Sequence, residues 1–324
     1  MGVTKLNSKK KEPMADKWQK DIYRVFGISI PTKLKYKAAA KTINELSDTE
    51  ENIRLIEEIK STGIPTFNKI VKSITFEQIE KKSRCLNTNL QISNSNDSTI
   101  EKEKARQEKW ERRIATYTES YKHFLVFFRD VKEIKNHHLV IGANIAYGWM
   151  PRVLVFQGDE FESCAKILND ASGSEQISEA EIRTLVRLID SSLVGASKLL
   201  HFVNPEAYAI WDSQVCKFIS GKKGKSTYDR LENYLAYLDL CKRISTHERY
   251  SDIHKQLEKH TGYEISAMRA IEQIMFLNSN SPIVRDVMLE TIRNQQKTPG
   301  NKTIQMTSNS ISNSISGIDI NSEV

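Results

Sequence analysis

Trp110, Ile114, Tyr117, Tyr121, Phe124, Phe128 and Val131 follow one another at alternating steps of four and three, the spacing that sets side chains on one stripe of an α-helix. A stripe this apolar has to be covered, so the chain must supply further helices to pack against it. Other segments agree: apolar residues recur with helical period, and none alternates convincingly in the manner of a half-buried strand. The expected fold class is mostly α.

Local punctuation divides the chain. Residues 1–15 are polar and basic without period and are expected to form a disordered arm. Residues 16–86 carry short periodic segments, among them Ile53, Leu55, Ile56 and Ile59 closed by Gly63 and Pro65, and predict a small helical subdomain. The Ser/Asn-rich stretch 87–100 reads as a linker. Residues 101–294 predict the helical core domain, and 295–324 a second disordered tail. Within the core, "HLVIGANIAYGWMPRVLVF" (138–156) is too apolar for a surface loop and predicts a buried helix ending near Tyr147. Ser178 and Glu181 form a capping box ahead of Ile182, Leu185, Val186 and Ile189. That helix should stop at "SSLVG". The next, "ASKLLHFV", should end at Asn204-Pro205, because the residue before a proline resists helical geometry.

With 39% hydrophobic and 27% charged residues, the balance is that of a globular chain, and no apolar run is long enough to span a bilayer. The basic start has no apolar stretch behind it, so no secretory signal is expected. The expected location is cytoplasmic, or nuclear in a eukaryotic cell. Of the net charge of +7, six lysines against Glu12 and Asp16 place +4 before residue 21. A basic face on the body must therefore come from local clusters such as "GKKGK" at 221–225. Cys85, Cys164, Cys216 and Cys241 lie apart with no C-x-x-C pair, and His123, His137 and His138 lack a close acidic or thiol partner. Neither a metal nor another cofactor is expected. "ISGKKGKS" (219–226) imitates a P-loop, but Ile219 stands where the first glycine belongs and no strand precedes it, which argues against that class of nucleotide binding.

The stretch that invites chemistry is "LLHFVNPEAYAIWDSQV" (199–215). An apolar run breaks at Asn204-Pro205, resumes as an aromatic run, and ends on Asp212. Each residue has a plain structural reading. Asp212 ahead of "SQVCKFIS", with Gly221 beyond, is an N-cap and C-cap pair around a two-turn helix. Lys198 reads as a solvent-facing helix lysine, His201 as a packed core histidine, and "AYAIW" as a buried connector. Arg269 and Glu272, at i and i+3 on an inward-packing helix, read as a charge pair at the edge of the core that could approach Asp212.

Residues 181–203 also have the layout of a helix-hairpin-helix, with Val194 and Gly195 forming the turn and Ser197 and Lys198 next to it. Such a turn lets backbone N–H groups at a helix N-terminus approach a DNA phosphate. The continuation "VGASKLLHFVNPEAYAIWDSQV" resembles the core of the helix-hairpin-helix DNA glycosylase superfamily, of the oxoguanine-glycosylase and endonuclease III-like kind, over about 35 residues (181–215). The resemblance implies a DNA partner and an enzyme acting on the N-glycosidic bond of a flipped base. It implies Asp212 as the carboxylate beside the extruded nucleotide and Lys198 as the amine nucleophile. Lys198 stands one residue further from Gly195 than is usual in that superfamily, which turns it about 100° around the helix. The Lys198 to Asp212 segment is also shorter, and the superfamily's four-cysteine iron-sulfur cluster has no counterpart. Val194, Gly195, Ser197, Lys222, Lys223 and Lys225 are the expected DNA contacts, and Trp211 and Tyr208 the expected stacking platform for a base. The alternative is a non-catalytic helical interaction protein of mobile-element or phage-defence type, in which the same hairpin is scaffold. Oligomeric state is left open.

Overall fold

The computed structural model describes residues 14–84 and 119–297, apart from Thr32, Pro151, Ser174 and Glu175, with a few positions between 108 and 117. Most of the predicted basic arm, the 87–100 linker and most of the C-terminal tail lie outside the described residues, as do Trp110 and Ile114. The chain is mostly α. Among the described residues the β-type pairings are two isolated bridges, Met14 with Lys35 and Phe156 with Ile189.

Five helices come first: α1 (Lys17–Val25), α2 (Tyr36–Leu46), α3 (Glu50–Thr62), α4 (Phe67–Ser73) and α5 (Phe76–Arg84). Helical residues 119–129 form α6. There follow α7 (Asn136–Gly148), α8 (Phe161–Ala171), α9 (Glu179–Leu188), α10 (Leu193–Val203), α11 (Ser213–Ser220) and the single turn α12 (Lys225–Tyr228). The last four are α13 (Leu231–Ser245), α14 (Tyr250–Thr261), α15 (Ala267–Leu277) and α16 (Val284–Lys297).

Two packing groups meet around one core. In the first, α7 lies on α8 and α10, and α9 lies on the same two. In the second, α11, α13 and α14 pack on α15. The aromatic stripe of α6 is covered as its spacing requires: Tyr121 is fully buried and Phe128 nearly so, with Tyr117, Phe124 and Val131 half-buried.

The N-terminal helices do not stand apart as a 16–86 subdomain. Helix α4 packs on α13 and α11, α5 on α15, and α3 on α16, so Leu55, Ile70, Val71 and Ile79 belong to the same buried cluster as Ile271 and Val284. Polar links reinforce the seam: Arg249 to Glu77 at 2.6 Å, and Lys82 to Asp286 at 3.1 Å. Helices of seven to thirteen residues carry apolar faces too small to bury one another, and the C-terminal helices supply the missing cover.

Helices α9 and α10 pack on each other, and the Val194–Gly195 turn expected between them is not the one that joins them. The capping box at Ser178 is in place, and its Oγ accepts from Glu181 N. The chain reverses over residues 189–192, where Asp190 and Ser191 take positive φ of 53° and 48°. Val194 and Gly195 belong to the first turn of α10, because Ser192 caps that helix by accepting from Gly195 N at 3.1 Å. Glycine is needed at 195 for closeness: a Cβ there would come within 2.6 Å of the Tyr147 ring on α7. At its other end α10 stops at Val203, before Asn204-Pro205.

The aromatic run beyond Pro205 is a buried extended connector. Its backbone carbonyls need partners that no ladder provides, and α13 supplies them: Tyr234 Oη donates to Ala209 O at 3.3 Å and Tyr237 Oη to Ile210 O at 3.2 Å. Trp211 packs against Phe67, Tyr234 and Tyr237 and donates its Nε1–H to Tyr228 O at 2.6 Å. The connector is thereby pinned to α4 and α13, and Asp212 emerges at a fixed place at its end.

Candidate active site

A cavity of about 680 Å³ opens where the α9–α10 turn, the connector end, α15 and the end of α7 converge. Lys198 and Asp212 both line it. Lys198 is not the solvent-facing lysine that helix periodicity suggests: it is only 7% exposed. Its Nζ–H donates to the carbonyl of Trp149 at 3.5 Å, at the C-terminus of α7, where the helix dipole favours a cation.

Asp212 is the N-cap of α11, and its Oδ1 accepts from Gln214 N at 2.7 Å and Val215 N at 2.9 Å. The cap uses Oδ1, so it does not engage the second carboxylate oxygen. The N-terminus of α11 favours this anion as the C-terminus of α7 favours Lys198. Ser197 keeps the two in register. Fully buried, it donates to Trp211 O at 3.2 Å and accepts from Trp211 N at 3.1 Å, tying the residue before Lys198 to the residue before Asp212.

Beneath them α15 presents Arg269 and Glu272, both cavity-lining and both almost wholly buried. The Arg269 Nη1–H donates to Glu272 Oε2 in a short charge-assisted bond. The guanidinium lies 4.9 Å from the Tyr121 ring centroid and 5.5 Å from that of Trp149, and its Nε–H is buried with no hydrogen-bond partner. Burial pushes the Glu272 carboxyl up from its ordinary value; Arg269 opposes that, Asp212 adds to it and Lys198 opposes it.

The other expected contacts fall into four groups. Val194 and Lys225 line the cavity, while Lys222 and Lys223 follow Gly221, the left-handed C-cap of α11, outside it. Gly195 and Ser197 are buried on α10 and present no surface to a phosphate. Trp211 and Tyr208 are fully buried in the core, so the stacking role expected of them finds no open ring face. The aromatic walls of the cavity belong instead to Tyr117, Trp149, Tyr228 and Phe276. Trp149 lies in the apolar stretch 138–156, where no pattern set it apart; its ring is held by Nε1–H donation to Ser120 Oγ at 2.9 Å.

The turn residue Asp190 is a further wall residue that periodicity passes over. It accepts from Tyr147 Oη at 3.3 Å and pairs with Arg152 at 3.6 Å. Two successive non-glycine residues at positive φ are costly, and such strain gathers where a turn must aim its side chains.

His201, on α10 behind Lys198, is enclosed. Its Nδ1–H donates to Tyr208 O at 2.6 Å, which assigns Nε2 as the acceptor for Tyr121 Oη at 2.8 Å. Among the described residues there is no cluster of three His, Cys, Asp or Glu side chains able to hold a metal, and no helix is long and apolar enough to cross a membrane.

Comparison with family models, with curated proteins and with solved structures returns no match for this chain. The functional reading therefore rests on the cavity itself.

Proposed function

We propose that this is a DNA-interacting protein of glycosylase-like chemistry, which receives an extruded nucleotide in the cavity and cleaves its N-glycosidic bond. The observation that carries the reading is that Lys198 and Asp212 line the same cavity, at the ends of two helices whose dipoles suit their charges. A cavity of about 680 Å³ is within the range of small-molecule sites, roughly 300–1,000 Å³. Bond cleavage leaves positive charge on the sugar, and the carboxylate of Asp212 is the group to stabilise it. The Lys198 ammonium supplies positive charge to the negative charge that develops on the departing base, and water is the group that attacks C1′. Tyr228, partly exposed, offers a ring for a base, and Arg152 and Lys225, both mostly exposed, offer charge for a phosphate backbone.

The test is base release from duplexes carrying single modified bases. The full chain should release base from at least one of them, and Asp212→Asn should lower the rate by at least about 100-fold with folding intact. Failure to release base from any duplex, with no preference for DNA over a polyanion control, would instead favour a non-catalytic helical interaction protein.

A further inference from the structure

Glu272 has more in common with a reacting group than with a structural one. A carboxylate that serves only to neutralise a buried arginine is best held by both oxygens of a bidentate pair. Here the bond is single, Arg269 Nη1 to Glu272 Oε2, which leaves Oε1 to carry a proton. The arrangement is also a poor stabilising device: Arg269 is left with an unsatisfied buried Nε–H, which is unfavourable. An unsatisfied donor beside a cavity of charged groups calls for a reason other than stability.

The neighbours give that reason. From α11, Asp212 faces Glu272 as a second carboxylate; from α10, Lys198 faces it as a cation. From α13 come the Tyr237 hydroxyl and the Cys241 thiol, from α6 the Tyr121 hydroxyl, and from the loop before α15 the Tyr263 hydroxyl. Burial pushes all four of these groups toward their neutral forms. The two carboxylates sit in unlike surroundings: Asp212 is half-exposed and accepts two backbone N–H bonds, while Glu272 is 3% exposed. Paired carboxyls whose environments differ in this way divide the roles of proton donor and charge stabiliser.

We propose that Glu272 is the general acid of the cavity, that Asp212 is its ionised counterpart, and that Arg269 is the positioning residue that holds Glu272 in place. The proposal rests on the glycosidic-bond reading above. In the step it implies, the C1′–N bond breaks with its electron pair going to the base nitrogen. The Glu272 proton passes to the departing base, leaving a carboxylate beside Arg269. Water forms the new bond to C1′ and gives a proton to Asp212, and exchange with solvent returns that proton to Glu272. The net change is hydrolysis.

The experiment is a carboxyl-carbon NMR titration of the full chain labelled at glutamate Cδ, with the Glu272 signal assigned by its loss in Glu272→Gln, or by its loss in Glu272→Asp if the glutamine variant does not fold. Glu272 should titrate above the ordinary glutamate range. Asp212→Asn should lower its midpoint by about one pH unit or more, and Lys198→Met should raise it. Arg269→Lys, which keeps charge but loses the planar fork, should shift the alkaline limb of the base-release rate, an effect that a purely structural arginine would not produce. An ordinary Glu272 midpoint, or one unmoved by both neighbouring substitutions, overturns the proposal even if the protein releases base. Conversely, if Glu272 titrates as expected but no duplex loses a base, the proton-holding pair stands and the glycosidic reading falls.

Discussion

At the scale of single residues, Asp212 shows how a structural role and a chemical one share a side chain. Its Oδ1 caps α11, and this much was legible in the sequence because a cap is a local arrangement of one side chain and the next three residues. The burial of Lys198 was not legible, since it depends on where α7 ends, some fifty residues away along the chain. The two roles of Asp212 can be separated. Asparagine caps helices about as well as aspartate, so Asp212→Asn should cost only a few tenths of a kcal/mol in urea denaturation, whereas Asp212→Ala should cost about 1 kcal/mol. Equal losses in the two variants would mean that the carboxylate's charge, and not its cap, holds the fold at this point.

At the scale of elements, the helices could be read from period and punctuation, and the turn between α9 and α10 could not. Left-handed backbone is usually signalled by glycine, but here Asp190 and Ser191 adopt it, so "LVG" drew attention to a glycine that serves helix packing instead. The same packing makes α10 a source of acid sensitivity. Burial lowers the His201 imidazole from 6.5 to about 3, with the Tyr208 carbonyl opposing and Arg269 adding to the shift. The unfolded chain takes up a proton at this ring below 6.5, while the folded protein resists doing so until about 3. Stability should therefore be fully present above pH 6.5 and drain away as pH falls toward 3, by up to about 1.4 kcal/mol per pH unit from this group. In urea denaturation followed across that range, His201→Gln should be less stable than the wild type at pH 7 and should lose less on acidification. Parallel acid limbs would show that another group drives the loss.

At the scale of the whole molecule, the mostly helical class was legible and the assembly of the core was not. The N-terminal helices join the C-terminal ones through pairs far apart in sequence, such as Arg249 with Glu77 at a separation of 172 residues, which no local pattern announces. That closure holds α15 against α11 and so sets Glu272 beneath Asp212. The central claim is that the resulting cavity accepts a nucleotide drawn out of duplex DNA. It is tested most directly by the affinity of the full chain, and of the chain lacking residues 1–13, for a duplex containing an abasic-site analogue and for the same duplex intact, as a function of salt. The claim predicts that both proteins prefer the abasic duplex, and that removing the basic residues Lys5, Lys9, Lys10 and Lys11 weakens binding to the two duplexes alike and flattens its salt dependence. Equal affinity for the two duplexes, vanishing with the arm, would contradict it.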